Sequence, residues 1–205
     1  MRYTGPKARR ARRQGMNLYA SDKYDKILQR KPYGPGKSPK TRSGRDSEYA
    51  KQLKEKQKAK DIYGLSEKQF RNMYKEAVKT KGQTGDMLKR LLEQRLDNLI
   101  YRAGFAMTRM QSRQFAGHGL FLVDGQRVTI PSFRVSAGNV ITVRSQAKDS
   151  PVFTAIRERH EKYLPPKWLK VNSDALQVEV ATLPEPNEAE QAVDMRLVVE
   201  FYSRT

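Results

Sequence analysis

Thr108–Val128 reads TRMQSRQFAGHGLFLVDGQRV, and the fold turns on how it is parsed. Thr108 with Gln111 three positions on has the form of a capping box, in which a hydroxyl and an amide side chain satisfy backbone N–H groups at the start of a helix. That helix is short, and Gly117 or Gly119 stops it, because the left-handed residue that ends a helix is most easily glycine. LFLVDGQRVTI then reads as two strands joined at Asp124-Gly125, a dipeptide suited to the primed two-residue turn of a hairpin. Arg109 and Arg113, four residues apart, share one helical face. Gln114 lies beside Arg113, His118 falls where the helix ends, and Arg127 follows the turn. Apolar residues are few, so this small unit is expected to have barely a core of its own.

Upstream, residues 47–103 read as helical. One helix starts near Ser47 and ends around Tyr63-Gly64. Ser66 with Gln69 forms a second capping box, followed by Phe70, Met73, Tyr74, Ala77 and Val78 at the spacing of one apolar face. Gly82 ends that helix. Thr84 opens a third, with Leu88, Leu91, Leu92, Leu96, Leu99 and Ile100 as its stripe, running to Gly104 and carrying Arg95. Downstream, VSAGNVITVR (Val135–Arg144) supplies a third strand, a polar helix spans roughly residues 151–163, and KWLKV and ALQVEVATL (Ala175–Leu183) give further strands. PEPNEAEQAVD (Pro184–Asp194) is an acidic linker. RLVVEFYS (Arg196–Ser203) is apolar enough to dock but too short to assign as helix or strand.

Charge says what such a chain meets. The 205 residues hold 41 Lys and Arg against 22 Asp and Glu, a net of +19. A field of that size attracts a polyanion, either nucleic acid or an anionic membrane surface. Residues 1–60 carry 19 basic and 5 acidic side chains, and residues 173–205 carry 2 and 7, so the polyanion surface begins at the N-terminus. KARRARRQG (Lys7–Gly15) and KPYGPGKSPKTRSGRD (Lys31–Asp46) cannot bury enough apolar surface to offset chain entropy, so residues 1–46 read as a basic arm that orders on a nucleic acid. An Arg-rich start without carboxylates also has the look of an organelle transit peptide, but no apolar face accompanies the arginines. The longest uninterrupted apolar run is Leu120–Val123, far short of a membrane span.

Enzymatic and metal readings find little support. Cysteine is absent, which excludes disulfides, thiolate-bound metals and a Cys nucleophile and fits a reducing compartment. GPGKS (Gly34–Ser38) resembles part of a phosphate-binding loop, but Lys31 stands where the first glycine belongs and Pro32, Pro35 and Pro39 break the flanks. His118 and His160 have no zinc spacing, and no nucleophile elbow supports a Ser-His-Asp site. No catalytic residue, cofactor or metal is expected. What remains is a cluster of cations on two helices and a hairpin: Arg95, Arg109, Arg113 and Arg127. Guanidinium forks match phosphate oxygens and stack on bases.

RLDNLIYRAGFAMTRMQSRQFAGHGLFLVDGQRV (Arg95–Val128) resembles the small RNA-binding module first named for ribosomal small-subunit protein number four. IYGLSEKQFRNMYKEA and the closing LVVEFYSR extend the resemblance over nearly the whole chain, to that ribosomal family itself. The resemblance implies an α+β fold: a basic N-terminal arm (1–46), a helical domain (47–94, rejoined by 193–205), and an inserted α+β domain (95–192) of two helices on a small antiparallel-rich sheet, containing the module at 95–145. It implies a primary binder of 16S-type ribosomal RNA that nucleates assembly of the subunit body at a five-way helical junction. Such a protein is cytoplasmic within the small ribosomal subunit, not an enzyme, and free of membranes. It lies beside protein number five near the channel through which messenger RNA enters, and it influences decoding accuracy; some relatives repress their own message.

Carried onto this chain, the resemblance makes Arg95, Arg109, Arg113, His118 and Arg127 RNA-facing, with Gln114 beside them. Lys7, Arg9, Arg10, Arg12 and Arg13 correspond to the basic arm, and Arg42 and Arg45, more loosely, to the messenger channel. Many relatives carry a zinc knuckle of cysteines near the N-terminus; here residues 16–46 need another support, either packing of Tyr19, Tyr24, Ile27 and Leu28 or RNA. Two alternatives use the same module: an RNA-modifying enzyme, for which no catalytic domain is left over, and a stand-alone RNA chaperone or translational repressor, which would lack the long helical domain.

Overall fold

The computed structural model describes residues 3–36, 38, 44, 46–160 and 163–204. The chain divides into two compact units, one of residues 1–88 and 190–205, the other of residues 89–189.

The first unit is helical. Within the basic arm, expected to lack structure of its own, residues 7–14 and 22–30 form helices. α1 (Lys7–Gln14) ends on Gly15 in the left-handed region and α2 (Asp22–Arg30) follows Ser21. Ala11 is fully buried and Leu18 nearly so, and the Arg10 guanidinium pairs with the buried carboxylate of Asp61 on α3 (Glu48–Ile62). Small apolar contacts at Ala11 and Leu18 and the ion pair on buried Asp61 stand in for a broad apolar face. Tyr19 and Tyr24 pack ring to ring at 5.1 Å, whereas Ile27 and Leu28 are only half-buried.

Ser47 caps α3, its hydroxyl accepting from the Ala50 N–H at 3.2 Å. α4 (Glu67–Lys79) opens with the full reciprocal box of Ser66 and Gln69. Phe70, Met73 and Ala77 are buried as read, but Val78 is 53% exposed, so the apolar stripe is narrower than its spacing suggests. RLVVEFYS is a helix: α10 (Met195–Ser203), capped by Asp194, buries Met195, Val198 and Phe201 and packs on α3. Where these helices meet, Glu67 accepts from Lys56 Nζ at 3.0 Å, Lys60 Nζ at 2.7 Å and the Tyr202 hydroxyl at 2.7 Å. Burial alone would raise the Glu67 carboxyl; the three donors override it and hold the group at about 2.

α5 (Thr84–Glu93) carries the chain from the first unit into the second. The sequence suggested one helix from Thr84 to Gly104, and the structure breaks it at Gln94-Arg95 before α6 (Leu96–Arg102). A distant segment causes the break. Val135 N–H donates to the Gln94 carbonyl at 2.9 Å, while Leu96 N–H and Asp97 N–H donate to Phe133 and Pro131 carbonyls at 2.9 and 3.0 Å. Arg95 is extended there and bridges Arg134 as a short antiparallel pair. The apolar stripe survives: Leu88, Leu92, Leu96, Leu99 and Ile100 are fully buried.

The second unit sets α6 and α7 (Arg109–Gly117) beside an antiparallel sheet. Its strands are β1 (Phe121–Val123), β2 (Gln126–Arg127), β3 (Val140–Val143), β4 (Leu169–Asn172) and β5 (Gln177–Val180), in the order β2-β1-β3-β5-β4. α8 (Ser145–Lys148) and α9 (Pro151–His160) link β3 to β4. Asp124 and Gly125 both have positive φ, +48° and +81°, as a primed turn demands. The Asp124 carboxylate then accepts from Asn139 Nδ2 at 2.6 Å and Val140 N–H at 2.7 Å, which fastens the hairpin to β3. The short unit has little core of its own, as read, and the rest of the second unit completes it. Phe105, Phe121, Phe153 and Trp168 are each at most 1% exposed, and Phe121 lies edge-on to Phe153 at 6.1 Å. The module's own text is poor in apolar groups, but α9 supplies Phe153 and Ile156, the turn before β4 supplies Trp168, β4 supplies Leu169, and β5 supplies Val178 and Val180 to one shared core.

Candidate nucleic-acid interface

Side chains of α6 orient those of α7. Arg95, read as an outward cation, is only 4% exposed; its Nε and Nη2 donate to Asp97 Oδ1 and Oδ2 at 3.1 and 2.9 Å. Arg95 sits in the extended break before α6, so its side chain turns into the unit instead of following a helical face and is not the outward cation expected. Asp97 Oδ2 also accepts from Arg113 Nη1 at 2.7 Å, and Arg113 remains 22% exposed. Thus one buried carboxylate serves an inner and an outer arginine.

A second chain runs in parallel. Glu93, fully buried, receives both Nε and Nη2 of Arg102 at 3.0 Å and Asn98 Nδ2 at 2.6 Å. Asn98 Oδ1 in turn accepts from Arg109 Nε at 2.9 Å, and the Arg109 guanidinium lies 4.5 Å from the centre of the Tyr101 ring. Glu93, Asp97, Asn98 and Tyr101 were not singled out in the sequence. A carboxylate reads as the wrong sign for a phosphate surface, and Asp97 and Arg113 are too far apart in sequence for helical spacing to connect them.

At the other end of α7 the Thr108 hydroxyl accepts from Gln111 N–H at 3.2 Å, while Gln111 Oε1 accepts from Met107 N–H at 2.7 Å. The amide therefore reaches one residue further back than the box the sequence suggested. Gln114 and His118 are exposed, and Arg127, also exposed, donates Nη2 to the His118 carbonyl at 3.1 Å. This closes Arg127 over the end of α7.

In the arm the cations split by role. Arg9 and Arg13 are exposed and Lys7 is half-buried. Arg10 pairs with Asp61 and stacks on Tyr3 at 3.5 Å, and burial pushes the Asp61 carboxyl up against the downward pull of Arg10. Arg12 donates to the carbonyls of Tyr33 and Gly34 at 3.0 and 3.3 Å. Arg42 and Arg45, like Lys37 of the GPGKS stretch, lie outside the described residues.

Residues 2–93 match the family described as ribosomal protein S4/S9 N-terminal domain, and residues 94–141 match the S4 domain. The small ribosomal subunit protein uS4 of Cutibacterium acnes is 46% identical over 203 residues, covering 99% of both chains. The chain belongs to the small ribosomal subunit protein uS4 family. The uS4 proteins of Natranaerobius thermophilus and Borrelia duttonii are 42% and 43% identical, covering 99% and 97% of this chain and 99% and 96% of their own. The seam between the two family matches, after residue 93, falls at the break between α5 and α6, so the S4 domain of this uS4 member starts where Gln94 and Arg95 leave the helix.

Proposed function

We propose that this uS4 family member is a structural constituent of the small ribosomal subunit that binds 16S-type ribosomal RNA. The single observation that carries the reading is the S4-domain geometry. Arg113 and Arg127 reach the surface with guanidinium groups steadied by Asp97 and by the His118 carbonyl, in a chain of net charge +19. Structured RNA hides its base edges in a deep, narrow groove, so recognition proceeds through shape and backbone contacts, for which fixed cations are suited. In this reading the module at 95–145 and the arm at 1–46 both meet RNA, with Arg9 and Arg13 as the arm's outward cations.

The finer role follows from the same family reading. The protein binds early at a multi-helix junction and nucleates the subunit body in the cytoplasm. It adjoins protein number five near the channel for incoming messenger RNA, where it contributes to accuracy without catalysis or cofactor. Sedimentation tests the reading: the chain should travel with small subunits at moderate salt, whereas a stand-alone chaperone or repressor would stay in the supernatant.

A further inference from the structure

We propose that Asp97 is a positioning residue of the RNA interface, whose buried carboxylate, itself fixed by Arg95, holds the Arg113 guanidinium ready to meet phosphate. The inference rests on the RNA-binding reading above and adds to it a residue of the opposite charge. Along Arg95, Asp97 and Arg113 the side-chain exposures are 4%, 6% and 22%. Two cations and one anion leave a net single positive charge, and its outermost carrier is Arg113. Asp97 is fixed twice, by the Arg95 fork at its side chain and by its N–H on the Pro131 carbonyl. Asn98, the next residue of α6, does the same for Arg109 through Oδ1, with its own amide held by Glu93 Oε2. Consecutive residues of one helical turn thus orient two arginines of the neighbouring helix.

An unrestrained arginine loses rotamer freedom whenever it is ordered on a ligand, and a pre-oriented one loses less. That benefit competes with Coulomb's law, since a carboxylate near the interface repels phosphate. The two effects have opposite signs, which makes the proposal decidable. By charge alone, removing Asp97 tightens RNA binding. By positioning, removing it loosens binding.

The test is a double-mutant cycle with the full chain and a 16S-type ribosomal RNA transcript, combining Asp97→Asn with Arg113→Ala at a temperature where circular dichroism shows every variant folded. Asp97→Asn should weaken binding by roughly 3- to 10-fold, the range set by ordering one long side chain. The same substitution in the Arg113→Ala background should have less than about a third of that effect. A folded Asp97→Asn protein that binds as tightly as wild type, or an effect undiminished without Arg113, overturns the proposal. Because a buried ion pair is being broken, Asp97→Asn could fail to fold. Nitrogen-15 spectra of the wild-type side chains then decide: hindered, separately resolved Arg113 Nη signals before RNA is added support the proposal, and freely averaged signals overturn it. Wild-type protein that ignores the transcript brings down the functional reading and this proposal with it; wild-type binding with an indifferent Asp97→Asn brings down this proposal alone.

Discussion

Arg127 lies across Gly119 so closely that a Cβ on Gly119 would run into its guanidinium and come within 2.9 Å of Thr129 Cγ2. The same glycine has φ +65°, in the left-handed region that ends α7. Gly119→Ala should therefore cost about 1–2 kcal/mol in backbone strain alone and push Arg127 off the helix end. Gly117, two residues earlier, has nothing within 4 Å of an added Cβ and no positive φ. Gly117→Ala should be neutral or stabilise by up to about 1 kcal/mol. Urea midpoints of the two variants check the contrast, and equal midpoints would show that the close packing of Arg127 on Gly119 is unimportant.

The arm cations should separate in experiment as they do in structure. Arg9 and Arg13 are exposed, so the double alanine variant should keep its melting temperature and bind RNA more weakly. Its salt slope should fall by about one for each phosphate that is no longer engaged. Arg10→Ala should instead loosen α1, because Asp61 loses its ion-pair partner. Hydrogen exchange over residues 7–14 should accelerate by an amount on the order of 1–3 kcal/mol, with α4 unaffected. The Asp61 carboxyl, already raised by burial, should titrate higher still once Arg10 stops pulling it down.

Acid should weaken the first unit through Glu67. Its carboxyl is held at about 2, below the ordinary 4.5, so the folded state resists protonation that the unfolded chain accepts. The resulting stability is complete above about 4.5 and disappears as pH falls towards about 2. Glu67→Gln should flatten that part of the stability curve, and Tyr202→Phe, which removes one donor, should flatten it partly. Carbon-13 titration of the Glu67 carboxyl, together with thermal midpoints between about pH 2 and pH 5, checks both.

Local chemistry was legible in the sequence wherever partners are close along the chain. The Ser66 box, the Asp124-Gly125 turn and the end of α7 near Gly117 each need only a few neighbouring residues. The misreadings involve partners far apart. Gln94 and Arg95 leave the helix because residues 131–135 pair with them, and no periodicity within residues 84–104 records that. Arg95 looked like a surface cation because arginines usually are, yet the same pairing with residues 131–135 holds it extended and turns it inward onto Asp97. The arm looked structureless because its composition does not record distant pairings such as Arg10 with Asp61, across 51 residues, and Gln14 with the Lys54 carbonyl, across 40. The core of the module looked too small because part of it arrives from Phe153, Trp168 and the strands β4 and β5.

Charge removal at Arg109 and Arg113 together should weaken RNA binding more than the loss of two exposed lysines elsewhere, since both forks are held in place by α6. A loss of roughly 10- to 100-fold is expected if each arginine makes a charge-assisted contact. Competition between the double alanine variant and wild type for one transcript reads the difference directly.

In the proposed function, fixed cations on a folded surface grip the phosphates of structured ribosomal RNA. Filter binding of the full chain to a 16S-type transcript across about 50 to 200 mM salt tests it most directly. With ~6–10 phosphates engaged, affinity should fall by about three to five decades over that range. Binding that hardly changes with salt, or no binding in dilute buffer, would contradict it.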